Sequence, residues 1–413
     1  MGRRDRLIST SILRAIFKSE SPRKDESERP GLLARIWAFF AFFSLSLARY
    51  RASLFKKLRN ETWEIEEEEY TESFRSPSKS KRTDLVAIGD LGYSGSTFFT
   101  TPNSKFLIKS LPRKFEQSFF RDRLLAPYVE HMELNEDSLL VRITDLLYCP
   151  TATIGAALGT APSHHIIMEN ILYGKSSCDK DQQKRWETYD LKPNDYFYPE
   201  RDVANGRLAP ESVKERLIDE FEDKIRVTID QKEELIAQLS RDSRVLQANN
   251  AVDYSLFLVR YPADLRSSEN NKVPPPPGRG SPWRSGIVSR DSKWVYRAII
   301  LDFFWAKDAL QAKTLTGLVK LFNAVKPGKD HGPMSITTTS DEYRQRFLGM
   351  VEDMVEVPDS AGRPADKRLP GLRTVTGRSN ERLQISGKAA DLSKSIYDDG
   401  VNPMWKAIVS SGR

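Results

Sequence analysis

The feature that most constrains the fold is an apolar run broken by a single acid, Ala251-Val252-Asp253-Tyr254-Ser255-Leu256-Phe257-Leu258. A core strand rarely admits a carboxylate, because burying an unpaired charge costs several kcal/mol or more. The pattern returns downstream in Arg297-Ala298-Ile299-Ile300-Leu301-Asp302-Phe303-Phe304. Two isolated acids at strand-like positions, with a glycine-serine loop and a strand lysine upstream, point to metal-assisted phosphoryl transfer.

The chain has 413 residues, room for one large domain or two smaller ones. Its net charge of +7 favours anionic partners, either a phospholipid surface, a nucleotide or nucleic acid. No basic-aromatic module backs nucleic acid, so that partner is not expected. The two cysteines, Cys149 and Cys178, form no CxxC, and a disulfide framework is not expected. His164 and His165 begin an apolar segment, but neighbours on a strand face opposite ways and cannot chelate one metal together.

Residues 1–82 read as a basic, aromatic, irregular leader. No stretch reaches the roughly 18 apolar residues that a spanning helix needs. The apolar patch Ile36 to Ala48 lies between Arg35 and Arg49. An interfacial helix over 32–57 fits it, and a helix docked on the core domain is the alternative. The opening MGRRDRLISTSILRAIF is basic and amphipathic, and weakly resembles a mitochondrial presequence. Arg6 stands where a myristoylation signal wants Ser or Thr, so that motif fails. The acidic run Glu64 to Glu69 reads as a solvated tail, with a Ser/Lys/Arg linker from Ser76 to Arg82 after it.

From Asp84 the pattern turns to short strands: Leu85 to Ile88, Thr97 to Thr100 and Lys105 to Leu111, with the turn Gly92-Tyr93-Ser94-Gly95-Ser96 between the first two. Phe115 to Met132 has helical spacing, Leu139 to Leu147 and Ile166 to Met168 read as strands, and Glu169-Asn170 suits a connector between two lobes. Residues 211–249 repeat apolar positions at a helical period. Residues 263–292, with the run Pro274 to Pro277, read as a disordered or polyproline-like insertion. Asp341 to Val355 reads as an amphipathic helix, and the Pro/Gly/Arg/Ser-rich tail 358–413 as disordered.

Phosphoryl transfer needs phosphates held in line, their charge offset, and a base near the acceptor hydroxyl. Gly92 and Gly95 lack a Cβ and let backbone N–H groups approach phosphate, with Ser94 and Ser96 beside them. Lys109 ends a strand and can bridge phosphates. Asp253 is the candidate acceptor-side acid or base, and Asp302 the candidate Mg²⁺ ligand, since hard cations take carboxylate oxygen.

At this point the chain resembles a family, the phosphatidylinositol phosphate kinases. Gly92 to Ser96 is similar to its GxSGS loop, Phe106-Leu107-Ile108-Lys109 to its FIIK strand, and Ile167-Met168-Glu169-Asn170 to its VVMxN hinge. Tyr189-Asp190-Leu191-Lys192 is similar to the start of YDLKGS, Val252 to Leu256 to MDYSLL, and Ile300 to Phe303 to IIDF. Asp341 to Phe347 is similar to its closing (P/D)xxYxxRF helix. The resemblance runs from about Leu85 to Val355. It implies an α+β, two-lobed lipid-kinase-like fold with antiparallel sheets, of the SAICAR synthase-like type. The domain is expected over 83–357, its N-lobe over 83–168 and its C-lobe over 169–357.

The resemblance further implies ATP and Mg²⁺, with catalytic roles for Lys109, Asp253 and Asp302 and adenine held at Met168 and Asn170. Lys192, Lys313 and Lys320 become candidates for the lipid headgroup or the membrane. The expected partners are a phosphoinositide and an anionic membrane surface, and the expected place is cytoplasmic, peripheral at a membrane. There are departures. Pro193 and Asn194 replace the Gly-Ser of YDLKGS, Thr314 replaces a lysine, Thr316 stands at the position tied to lipid preference, and Val259 stands for a glycine. The glutamate that pairs with the ATP lysine is not placed: Glu116 is a candidate, but the register brings Phe119 nearer. These departures motivate the alternative of a catalytically inactive phosphoinositide-binding scaffold. A soluble small-molecule kinase or ligase on a related fold is a third reading, against which DYSL argues.

Overall fold

A computed structural model describes residues 2–18, 45–76, 85–89, 96–150, 161–193, 221–267, 273–306 and 339–358. Its first layer is a six-stranded antiparallel sheet. The strands are β1 (Ala48–Arg49), β2 (Val86–Gly89), β3 (Phe98–Thr100), β4 (Phe106–Ser110), β5 (Ile143–Tyr148) and β6 (His164–Glu169), in the order β1-β5-β6-β4-β3-β2. In β4, alternation sends Phe106 and Ile108 to the covered face and Leu107 and Lys109 to the other. The register sets Lys109 opposite Phe98 and Ile166, and Leu107 opposite Met168.

Residues 45–76, expected as part of an irregular leader, belong to this lobe instead. β1 pairs with β5 through Arg49 and Leu147 and so closes one edge of the sheet. After α1 (Arg3–Phe17), helix α2 (Ala52–Lys57) runs into a π-helical turn over Leu58–Thr62, and α3 (Glu67–Glu72) follows. Phe55, Leu58, Trp63, Ile65, Tyr70 and Phe74 are all fully buried. The acidic run is not solvated throughout. Glu67 bonds the buried Arg59 (2.5 Å), and Asp145 of β5 takes Arg49 at 2.8 Å and the Tyr70 hydroxyl at 3.2 Å. A run of acids looks like a tail until its cations arrive, and these come from β1 and the π-helical turn after α2. Helix α1 buries Ile8, Ile12 and Ile16. Its Ser9 hydroxyl accepts from Leu85 N (3.0 Å), and its Ser11 hydroxyl from Leu45 N (3.1 Å). The apolar patch lies outside the described residues up to position 44.

Helix α4 (Lys114–Ser118), a second π-helical stretch (Phe119–Leu124) and α5 (Leu125–Leu134) follow β4, over nearly the span that the helical spacing predicts. The second layer holds β7 (Glu187–Leu191), β8 (Ile225–Arg226), β9 (Ala251–Val252), β10 (Ser255–Pro262), β11 (Ile287–Val288), β12 (Trp294–Leu301), β13 (Trp305–Ala306) and β14 (Val355–Glu356). One sheet runs β11-β12-β10-β7, while β9 pairs with β13 and β8 with β14. Helix α6 (Ile229–Ala248) starts on a Thr228–Gln231 capping box. After the short α7 (Pro282–Ser285), helix α8 (Ser340–Met354) starts on the same device, Thr339 with Glu342. The two long helices meet through Leu239 and Leu246 on one, and Tyr343, Phe347 and Val351 on the other, all fully buried.

The expected disordered insertion over 263–292 is a second correction. Asp264–Ser267 is a short helix, and 273–292 form a strap pinned by arginines. Arg142 Nη1 donates to Pro277 O (2.9 Å), and Arg297 Nη2 donates to Pro274 O (2.7 Å). A proline run lacks N–H donors but keeps its carbonyls, so it can be fixed wholly from outside. At Gly278, φ is +89°, and a Cβ would lie 2.6 Å from Trp63 O, which demands glycine there. The tail beyond residue 358 and the helical pattern before 221 lie outside the described residues.

Candidate functional site

A cleft of about 580 Å³ opens between the two sheets. Val86, Ile88 and Leu107 form its roof, Phe257, Ile299 and Leu301 its floor, and Met168 lines its inner end. The other end is polar, with Lys109, Asp190 and Asp302 on its wall. A mostly apolar slot with a few convergent charges is the usual form of a small-molecule site.

The two isolated acids owe their place to one interrupted ribbon. β10 pairs with β12 from Ser255↔Leu301 onward, and β9 pairs with β13 at Val252↔Trp305. Between these blocks both strands break at the same level, at Asp253-Tyr254 and at Asp302-Phe303-Phe304. Each acid adopts a left-handed backbone, with φ 64° at Asp253 and 61° at Asp302. That conformation is uncommon outside glycine and is tolerated best by Asp and Asn. The kinks turn both carboxylates out of the ladder toward the lysines of the cleft.

Lys109, 7% exposed, forms an ion pair with Asp302 across the cleft. Burial works to raise the Asp302 carboxyl, but the ammonium groups of Lys109 and Lys192 overcome it and hold it below the usual carboxylate range. Lys192, just after β7, donates to Asp253 Oδ1 at 3.0 Å. Burial lifts Asp253 above the ordinary carboxylate value, Lys192 opposes that, and the charge of Asp302 adds to it. Lys109, Asp253 and Asp302, distant in sequence, thus lie in one linked set of charges. Lys192, expected as a headgroup contact, pairs with Asp253.

Two carboxylates join this set that the sequence reading did not assign. Asp190 shares a strand face with Lys192 two residues on. Its side chain reaches the open cleft, yet desolvation by the walls lifts its carboxyl, Lys192 pulls it down and Asp302 pushes it up. The signal was the second residue of the YDLK run, masked by the alternating polar character of β7. Glu116, on α4, is buried and feels Lys109, while Arg113 Nη1 bonds it at 3.1 Å. It is the one helix carboxylate named in advance, and burial raises it.

Met168 and Asn170 line the cleft. The Asn170 side chain is spent on the backbone, donating to Ser104 O (2.7 Å) and accepting from Leu172 N (3.0 Å). Ser96 is buried just before β3. Gly92, Ser94, Gly95, Lys313 and Lys320 lie outside the described residues. Among the described residues no cluster of three metal-ligating side chains forms, and no helix is long and apolar enough to cross a membrane. Two carboxylates still suit Mg²⁺, which usually takes one or two from the protein and the rest from phosphate and water.

Two lobes around such a cleft, with a lysine above and acids at a broken ribbon below, define an α+β kinase-like fold. The family model described as phosphatidylinositol-4-phosphate 5-kinase matches residues 79–277. A probable phosphatidylinositol phosphate kinase of Dictyostelium discoideum is 33% identical over 174 residues, 41% of this chain and 22% of that protein. A phosphatidylinositol 4-phosphate 5-kinase of Plasmodium falciparum is 26% identical over 295 residues, 62% and 16% of the two chains. The human type-1 beta phosphatidylinositol 4-phosphate 5-kinase is 26% identical over 191 residues, 46% and 32%. The chain therefore spans less than a third of the length of the Dictyostelium and Plasmodium relatives, and about a third of the human one. The matched region is thus similar to the phosphatidylinositol phosphate kinases, at 33% identity or less to these three relatives.

Proposed function

We propose that the chain transfers the γ-phosphoryl group of ATP to the inositol ring of a phosphatidylinositol phosphate at a membrane surface. The observation that carries this reading is the ion pair of Lys109 and Asp302 on the polar wall of a nucleotide-sized cleft, electrostatically linked to the Lys192–Asp253 pair. The apolar end, from Val86 to Leu301, suits a purine, with Met168 and Asn170 beside the interlobe linker. Lys109 binds phosphate oxygens once it exchanges Asp302 for the nucleotide. Asp302 and Asp190 are the carboxylates that would hold Mg²⁺, which offsets phosphate charge when bound. Asp253 accepts the proton of the attacking hydroxyl, and Lys192 orients it. Lys313 and Lys320 remain candidates for the headgroup or the anionic bilayer, where each added cation is worth about 1 kcal/mol.

The test is a radiolabelled phosphate-transfer assay on phosphoinositide vesicles, paired with calorimetry of Mg·ATP. Lys109→Met is expected to cut transfer at least about a hundredfold, the range for removing one charge-stabilising donor, with a cooperative unfolding transition retained. Transfer by Lys109→Met at the wild-type rate would reject the assignment. Binding of phosphoinositide by a wild-type chain that binds no ATP would instead favour the inactive scaffold.

The acid limb of the pH–rate profile tests the pairing of Lys192 with Asp253. A base must be deprotonated, so the rate rises with pH through the Asp253 pKa, which lies above the ordinary carboxylate value. Lys192 lowers that pKa, so Lys192→Met is expected to move the limb to higher pH. A limb that stays in place would separate Lys192 from the base.

A further inference from the structure

Behind the inner end of the cleft, the segment that joins the lobes is gripped by two buried arginines of the second layer. Met168 faces the cleft, and alternation turns Glu169 to the back of β6, where it is 1% exposed. Arg284, on the strap helix α7, is 2% exposed and forms an ion pair with Glu169 Oε1. The same guanidinium donates to Ser138 O and to Leu140 O (3.0 Å) in the segment entering β5. Glu169 Oε1 also accepts from Arg142 N at 2.9 Å, so one oxygen ties β5, β6 and the strap together. Next along the linker, Arg297 of β12 donates to Ile171 O (3.0 Å) and Tyr173 O (2.8 Å), and also to the strap at Pro274 O (2.7 Å).

Burying two guanidinium groups and a carboxylate carries a desolvation cost that well-packed apolar residues would avoid. The gain lies in geometry. Arginine presents donors in a rigid fork, so each guanidinium fixes the spacing of the carbonyls it bridges. Arg297 bridges two carbonyls of the linker, Ile171 O and Tyr173 O, and Arg284 holds the Glu169 carboxylate at its start; Glu169, Asn170, Ile171 and Leu172 also line the cleft.

We propose that Glu169, Arg284 and Arg297 are positioning residues for the nucleotide: they hold the interlobe linker in the one shape that receives the purine. This rests on the kinase reading above. An unclamped linker samples other shapes, and apparent affinity falls in proportion to the competent fraction.

The experiment uses the full chain and Mg·ATP. Glu169→Gln/Arg284→Met removes both charges together, so no orphan ion remains and the melting temperature should stay close to that of the wild type. Calorimetry is expected to give roughly tenfold weaker Mg·ATP binding, corresponding to a competent fraction of about one tenth. Hydrogen exchange of the amides over 169–173 should quicken, and the Michaelis constant for the lipid should not move. Arg297→Lys, which keeps the charge and loses the fork, is expected to weaken Mg·ATP by a similar factor and serves if the double variant does not fold. Wild-type Mg·ATP affinity in the folded variants overturns the inference, as does unchanged exchange over 169–173. If the wild-type chain binds no Mg·ATP, the kinase reading fails and takes this inference with it. Normal wild-type binding that the variants leave untouched overturns this inference alone.

Discussion

Asp253→Asn is expected to lower phosphate transfer by about 10²–10⁴-fold, the usual worth of a positioned general base. The substitution is nearly isosteric, and asparagine tolerates the left-handed backbone at φ 64° about as well as aspartate does. The break in the ribbon should therefore persist. The amide oxygen can still accept from Lys192, but it cannot take a proton at neutral pH. The nucleotide site, built around Lys109 and the apolar slot, is left in place. Calorimetry should find Mg·ATP affinity within about a factor of three of the wild type, too small a change to register as a lost contact. A full rate in the lipid assay would place the base elsewhere in the cleft.

Trp283→Ala is expected to destabilise the chain by about 3–5 kcal/mol, as large-to-small changes in a packed core do. Trp283 is fully buried, its indole N–H donates to Gln231 O (3.2 Å), and its backbone N–H donates to the Ser281 hydroxyl oxygen (3.2 Å). The loss includes the cavity and the unpaired Gln231 carbonyl. Urea denaturation followed by fluorescence of the remaining tryptophans measures it. A change under about 0.5 kcal/mol, the scale of a surface substitution, would mean that the strap is not packed in solution, as its proline content first suggested.

The two candidate acids, Asp253 and Asp302, were legible because each is a lone charge in an apolar run, a conflict that packing alone does not resolve. Lys109 was legible at the end of a strand whose alternation is clear. Asp190 was not assigned, because β7 carries polar residues on both sides of it and offers no contrast. The second layer's long helices showed in their period, with α8 placed within a residue of the expected bounds. The regions from 45 to 76 and from 273 to 286 were misread for one reason. Their order depends on partners far along the chain: Asp145 for Arg49, Trp63 O for Arg279 N, and Arg142 and Arg297 for the strap carbonyls. Local composition reports what a segment prefers by itself, and both segments are fixed from outside.

The edge strand β1 has a practical corollary. A shortened version starting where the family match starts, at residue 79, would be cut through the sheet rather than beside it. It would bare the outer backbone of β5, a ready template for other chains to pair with. It would also leave the Asp145 carboxylate without either of its guanidinium partners. The family match therefore falls short of the smallest piece that keeps this edge of the sheet covered, which extends further toward the amino terminus.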